Sequence, residues 1–302
     1  MGEKDRILER IARKSGVEDL VSILSDKLSG SDLKSLMLEV YSRRSQRASS
    51  AEVLSRFASD PLSHPSRTDP VALNEAERLA FDLARKDFDP IELSPICPLG
   101  TISSLTRLHQ DRVVSTIRNT EVVSDSTNVM ALECASRRRR GEPAVRLCSS
   151  HRLVRPSADL KPGDLAHFRL FGLCSSFRRG NGIEAELGEL LRHLRFHVSL
   201  LSRFDGKVRV TVSDFGAKWT DEVGEAVAAN LPQVRVEVDR ERGHGRGYYT
   251  SICLHVYLEV DGNEYFIADG GLVDWGARLL GDKRERMLIS GLGTERLAGL
   301  TG

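Results

Sequence analysis

Several things this chain lacks narrow what it can be. Only five of its 302 residues are cysteines (Cys97, Cys134, Cys148, Cys174 and Cys253), widely spaced and without a Cys-x-x-Cys pair. An odd count in that arrangement argues against a disulfide framework or a thiolate metal site, and for reduced thiols used as small apolar packing groups. No stretch approaches the roughly eighteen consecutive apolar residues of a membrane span. The amino terminus, Met1-Gly-Glu-Lys-Asp-Arg6, is charged where a secretory signal would be apolar. The expectation is a cytoplasmic protein with no membrane partner. Lys and Arg number 44 against 43 Asp and Glu, a net charge of +1, so no bulk field favours a polyanionic partner. Also missing are a Gly-x-Ser-x-Gly elbow, a Walker loop and any paired-cysteine metal site.

What is present divides by texture. Residues 3 to 58 carry apolar residues at helical spacing: Ile7, Leu8 and Ile11, then Leu20, Ile23, Leu24 and Leu28. Gly30 ends that run and Ser31 is the expected cap of the next helix, whose apolar face is Leu33, Leu36, Met37 and Val40. These helices are poor in aromatics and are expected to pack on a neighbour. Asp60 to Pro70 holds three prolines in eleven residues and reads as a linker. The division expected is a helical extension with its Pro-rich linker over 1–70, and a core over 71–302.

In the core, helices are expected at about 72 to 86, 184 to 203 and 221 to 230. Between them run period-2 segments such as Val145-Arg-Leu-Cys, His167-Phe-Arg-Leu-Phe, Val208-Arg-Val-Thr-Val and Ile252-Cys-Leu-His-Val-Tyr-Leu-Glu-Val. Asp261-Gly262 is a strong hairpin turn. Strands joined by hairpins with helices inserted predict an α+β fold, an antiparallel sheet flanked by helices.

Three blocks carry chemistry. The carboxyl-terminal Met287-Leu-Ile-Ser-Gly-Leu-Gly-Thr-Glu-Arg296 reads as an apolar strand, a Gly291-x-Gly293 turn and a helix start bearing Arg296, suited to holding a phosphate. Val145 to Pro156 and His167 to Gly172 read as two strands placing Arg152 and Phe168 on one sheet surface, an arginine for a phosphate and an aromatic for a base. Third is Arg246-Gly-Tyr248-Tyr249, followed by Asp269-Gly270-Gly271-Leu-Val-Asp274.

In that order the three blocks resemble motif 2, the Tyr-Tyr strand with its Gly-Gly loop, and motif 3 of class II aminoacyl-tRNA synthetases, in the histidyl-tRNA synthetase form. The resemblance covers about 88 to 302, with Phe88 to Pro95 as a weak motif 1. It implies ATP and Mg²⁺ as cofactors, a homodimer, and adenylate formation on a carboxylate or amino acid, with a protein or RNA acceptor possible. By resemblance Arg152 contacts the α-phosphate, Phe168 stacks on adenine, and Arg296 grips the γ-phosphate beside Gly291 and Gly293. Asp125 and Thr127 receive the substrate amino group, while Tyr248, Tyr249, Gly270 and Gly271 line the substrate pocket. The catalytic arginine before the tyrosines is Arg246, with Arg242 and His244 as open alternatives. No metal ligand set is implied in the chain itself.

The sequence also departs from the family. Val154 stands where the family has Glu. Leu170, Cys174 and Leu272-Val273 replace its histidine-recognising residues, which makes histidine an unsuitable substrate. No anticodon-binding module is expected, and the family's insertion domain shrinks to a βαβ-like stretch at about 205 to 240. Two functions follow: an adenylate-forming ligase acting on an amino acid other than histidine, or a catalytically silent regulatory subunit like the synthetase-like subunit of ATP phosphoribosyltransferase. Three further features have bland readings. Arg137 to Arg140 reads as a solvated helix end or an RNA patch, Asp125 equally as a helix cap, and His193-x-x-x-His197 as core and not zinc.

Overall fold

The computed structural model describes residues 2–106, 108–156 and 166–300. They form two compact units, residues 1–60 with 115–120 and residues 61–114 with 121–302. The first unit is helical: α1 (Glu3–Ser15), α2 (Leu20–Ser22) running on to Lys27, α3 (Gly30–Ser45) and α4 (Ser50–Ser59). Gly16 ends α1 in the left-handed region at φ 70. Ser29, and not Ser31, caps α3: its hydroxyl accepts from the Asp32 amide at 3.1 Å and donates to the Asp32 carboxylate at 2.7 Å. None of the four helices contains a buried residue.

The second unit is built on an eight-stranded sheet, in the order β1-β4-β5-β10-β9-β8-β6-β7. Its centre is antiparallel: β4 (Val145–Val154), β5 (His167–Arg178), β10 (Glu285–Gly293), β9 (Asn263–Val273), β8 (Ile252–Val260) and β6 (Lys207–Asp214). The edges are parallel. Asp89–Pro90 (β1) pairs with β4, and β7 (Arg235–Val238) pairs with β6 across α9 (Thr220–Asn230), the expected βαβ stretch. Asp261 and Gly262, at φ 51 and 76, close the β8–β9 hairpin as the sequence predicts. Ile96–Pro98 (β2) and Thr120–Val122 (β3) form a separate two-stranded sheet, with α6 (Thr101–Leu105) following β2. The buried Glu121 carboxylate accepts from the amides of Gly100 and Ile102 at 2.9 and 3.0 Å, fixing the start of α6.

Period-2 alternation sends successive side chains of each strand to two different cores. On one face Phe171, Leu173, Val212, Leu254 and Leu292 pack with α5 (Pro70–Ala84), α8 (Glu184–Leu201) and α9. On the other, Leu147, Cys174, Met287 and Ile289 pack with α7 (Ser126–Arg139) and with Trp275 of α10 (Trp275–Leu280). Residues 61–70, read from sequence as linker, belong to the second unit: the His64 carbonyl meets the His167 ring at 2.5 Å, and Ser66 donates to Glu295 at 2.9 Å.

His193 and His197 of α8 lie in the first of these cores. The Ser290 hydroxyl sits 2.8 Å from both His193 Nδ1 and His197 Nε2, and Ser175 is 3.0 Å from His193 Nε2. Burial holds both imidazoles neutral, pushing His193 well below its ordinary value and His197 down to about 3. Below pH 6.5 the unfolded chain takes up protons that the folded chain refuses, so stability present at neutral pH falls as pH drops from 6.5 towards 3. The expected slope is about 1.4 kcal/mol per pH unit for each histidine. Urea unfolding at about pH 7, 6 and 5 checks this, and His197→Leu should flatten the slope by about one proton; a wild-type stability constant over that range would refute it.

Candidate small-molecule site

A cavity of about 870 Å³ opens in the second unit, on the sheet face that carries α7. One row of residues runs in register across this face, His255, Asp269, Gly291 and Gly172 on β8, β9, β10 and β5, and of these Asp269 and Gly291 line the cavity. The two glycines leave that row without side chains on either side of the sheet centre. A Cβ on Gly172 would lie 2.7 Å from Met130 Cε, so α7 seats directly on the strand. The atoms nearest to one on Gly291 belong to the Leu170 side chain, at 3.2 Å and beyond. Leu170 and Ile289 supply apolar walls.

Asp125 serves as the helix cap and also lines the cavity. Its Oδ1 accepts from the Thr127 amide at 3.0 Å and the Thr127 hydroxyl at 2.7 Å, starting α7. Its Oδ2 takes Arg155 at 3.2 Å. Tyr248 and Tyr249 stand beside it with rings edge to face at 5.0 Å. Burial, and then the nearby carboxylates, push both phenols well above their ordinary range, so they stay neutral.

The motif 2 expectation needs correcting at Arg152. Register pairs Arg152 with Arg169 and Phe168 with Leu153, so Arg152 and Phe168 occupy opposite faces of the sheet. The connecting loop, 157–165, lies outside the described residues. Arg152 donates to Glu295 at 2.8 Å and lies 2.9 Å from the His167 ring nitrogen, and it does not line the cavity. The arginine beside Phe168 is Arg155, whose guanidinium sits 5.1 Å from the ring centre. Three residues further along the strand, it has turned onto the other face; nothing in the sequence spacing distinguished the two.

Among the three alternatives before the tyrosines, Arg246 is exposed and stacks 4.7 Å from the Phe215 ring centre, away from the cavity lining. His244 lines the cavity. Arg242 is the buried one, its side chain 2% exposed, donating from Nη2 to Asp269 at 2.9 Å and from Nε to the His244 carbonyl at 2.9 Å. Asp269 itself lines the cavity. Burial, and then the Arg242 charge, push the adjoining His255 down to about 4, leaving it neutral.

The terminal block also differs from its expected form. Gly291 is paired inside β10, to Gly172 on one side and Asp269 on the other, so no Gly-x-Gly turn offers its amides to a phosphate. Gly293 ends the strand before α11 (Thr294–Ala298). Arg296 is exposed at the cavity, donating to the Phe266 carbonyl, and Arg112 joins it there; neither has an ion pair among the described residues. Gly270 and Gly271 serve strand packing: a Cβ would come within 2.6 Å of the Ile289 carbonyl or 2.9 Å of the Ile252 carbonyl.

The arginine run is partly engaged by the fold, with Arg139 and Arg140 exposed. Arg138 makes a buried bidentate pair with Glu285, Arg137 holds Glu133 and Asp89, and Arg139 reaches the Leu279 carbonyl.

No protein-family model and no curated protein matches this sequence. Solved structures do match. A Bacillus halodurans ATP phosphoribosyltransferase regulatory subunit/histidyl-tRNA synthetase superposes with TM-score 0.60 at 13% identity, covering 78% of this chain and 82% of that one. The Staphylococcus aureus apo histidyl-tRNA synthetase gives 0.58 at 13%, over 78% and 72%. The ATP phosphoribosyl transferase (HisG:HisZ) complex of Thermotoga maritima gives 0.52 at 14%, over 72% and 96%. The fold is that of a class II aminoacyl-tRNA synthetase core, in its histidyl-like form.

That class II core brings Asp125, Thr127, Phe168, Tyr248, Tyr249, Gly291, Gly293 and Arg296 to one cavity, and leaves Arg152 and Arg246 outside it. Arg112, Arg155 and Asp269 join the site without a sequence signal of their own, and Arg242, one of the three alternatives, stands behind Asp269. For a nucleotide, Phe168 and Arg155 fit a base, and Arg296 with Arg112 fit phosphates. For Mg²⁺ the fit is poor: the carboxylates at the cavity are engaged by Arg155, Arg242 and Arg152, and no group of three metal-ligating side chains occurs among the described residues.

The two glycine types should separate by experiment. Gly270→Ala and Gly271→Ala are expected to cost about 1–3 kcal/mol by overpacking, read by urea unfolding. Gly291→Ala should keep stability within about 1 kcal/mol and yet shrink the cavity floor and weaken ligand binding. Equal stability losses at all three positions would contradict the distinction.

Proposed function

We propose that this chain is a synthetase-fold subunit that binds a small amino acid-like ligand and acts through a partner protein, without forming an adenylate. One observation carries the reading: three carboxylates that line the cavity, Asp269, Asp125 and Glu295, are each closed by an arginine, Arg242, Arg155 and Arg152, at 2.9, 3.2 and 2.8 Å. A free guanidinium stabilises charge developing on an α-phosphate, a contribution of about 3–4 kcal/mol for one pre-organised donor. A carboxylate about 4 Å from that same phosphate costs about 4 kcal/mol at an effective dielectric near 20. The two effects cancel, and a paired arginine gives little net catalysis.

The likeness to a regulatory subunit and to a HisG:HisZ complex supports a protein partner; on this reading that partner is a catalytic subunit. Homodimerisation through the segment ending at Pro95 is the fold's other offer. There β1 is two residues long, and the Pro95 carbonyl accepts from the Val123 amide.

The ligase reading, with ATP and Mg²⁺, keeps one specific observation in its favour: Phe168 beneath Arg155 shares a cavity with the unpaired Arg296 and Arg112. ATP–pyrophosphate exchange with Mg²⁺ and a panel of amino acids decides between them. The expected result is no exchange above background with any amino acid. Exchange that Arg296→Ala reduces by about two orders of magnitude or more would establish the ligase instead.

A further inference from the structure

We infer that the Asp269 carboxylate is the cavity's receptor for a primary ammonium group, held in a cage completed by Tyr248 and Tyr249. This rests on the ligand-binding reading above and names the chemistry of the ligand.

The argument turns on which carboxylate oxygens are still open. Asp125, the residue the family resemblance would use, has both oxygens filled: Oδ1 by the Thr127 amide and hydroxyl, Oδ2 by Arg155. Glu295 stands at the rim between Arg152 and Arg296, two cations that oppose a third. Asp269 differs. Its Oδ1 takes Arg242 Nη2 at 2.9 Å and the Gly270 amide at 2.7 Å, which fixes the carboxylate from behind. Its Oδ2 has no hydrogen bond among the described residues, and the side chain is 27% exposed, at the cavity floor.

The surroundings suit an ammonium better than an anion. Tyr248 and Tyr249 are neutral rings lining the same cavity, and the Tyr249 ring already receives one cation, the Arg242 guanidinium 5.6 Å from its centre, as neutral aromatic rings do. The neutral His255 ring adds no competing charge, lying with Nε2 3.5 Å from Asp269 Oδ1. Among the described residues the only cation paired with the carboxylate, Arg242, is sealed behind it. Beside Asp269 the floor is bare at Gly291 and apolar at Leu170 and Ile289, which leaves space for the carbon body of the ligand. An ammonium on an amino acid fits whether it is the α-amino group or a side-chain amine.

Calorimetric titration of the intact chain, without nucleotide, tests this with L-amino acids. Each binder is repeated as its 2-hydroxy acid, and lysine and ornithine are set against norleucine. An α-ammonium at Asp269 predicts that the hydroxy acid binds at least about tenfold more weakly. A side-chain ammonium predicts that lysine or ornithine binds and norleucine does not. In either case Asp269→Asn should weaken binding by at least about tenfold, and Asp125→Asn by less than about threefold. Because Asp269→Asn strips a buried guanidinium of its counter-ion and can harm the fold, the wild-type ligand series decides on its own. Equal binding of amine and hydroxy analogues, a loss confined to Asp125→Asn, or no binding by any amine-bearing compound would overturn the inference. None of these titrations contains ATP, so a positive pyrophosphate exchange would overturn the non-catalytic reading and leave the ammonium assignment standing.

Discussion

The guanidinium of Arg242 is buried, so its charge must be met inside the protein, and Asp269 meets it at 2.9 Å. This pair sits where β9 crosses the cavity floor, between the loop that carries the tyrosines and the glycine row of β10 and β5. Breaking it by removing one partner leaves an uncompensated charge, a cost of about 3–5 kcal/mol. The pair therefore persists, and it gives the floor of the cavity a carboxylate face. The same solution recurs at Asp125 with Arg155 and at Glu295 with Arg152. Each of these carboxylates is thus balanced before any ligand enters, and among the described arginines of the cavity Arg112 and Arg296 are the ones without an ion pair.

The sheet makes this furnishing possible. Antiparallel register places His255, Asp269, Gly291 and Gly172 in one row, and alternation puts the histidine pair of α8 on the opposite face. Ser290 is a neighbour of Gly291 in β10, yet its hydroxyl points away from the cavity row to meet His193 and His197. One strand thus carries both the open floor and the buried polar network beneath it. Both depend on the same register, and a slip of one residue would exchange them.

Much of this was legible in the chain. Alternating apolar residues gave the strands their faces, Asp261-Gly262 marked the hairpin, and the three blocks in order pointed to the class II core. Side-chain direction within a block was less legible. Arg152 and Arg155 are three residues apart on a strand end, and only the pairing of Leu153 with Phe168 shows which shares the aromatic's face. Gly291-x-Gly293 looks like a turn because glycine usually marks one, but here each neighbour in the ladder is itself a glycine or a floor residue. Asp269 carried no signal, since its role comes from Arg242, twenty-seven positions away in sequence and brought to it by a loop. Ion pairing across the fold, which decides what the site can hold, has no local pattern to read.

The most direct test of this account is the ATP affinity of the wild type against the double variant Asp269→Asn, Glu295→Gln, measured calorimetrically with Mg²⁺ after confirming that the variant is folded. If the carboxylates that line the cavity are what oppose an anion there, removing two of them should tighten ATP binding by about tenfold or more. Unchanged or weaker binding in a folded variant would contradict the account, because the carboxylates would then not be what keeps phosphate out.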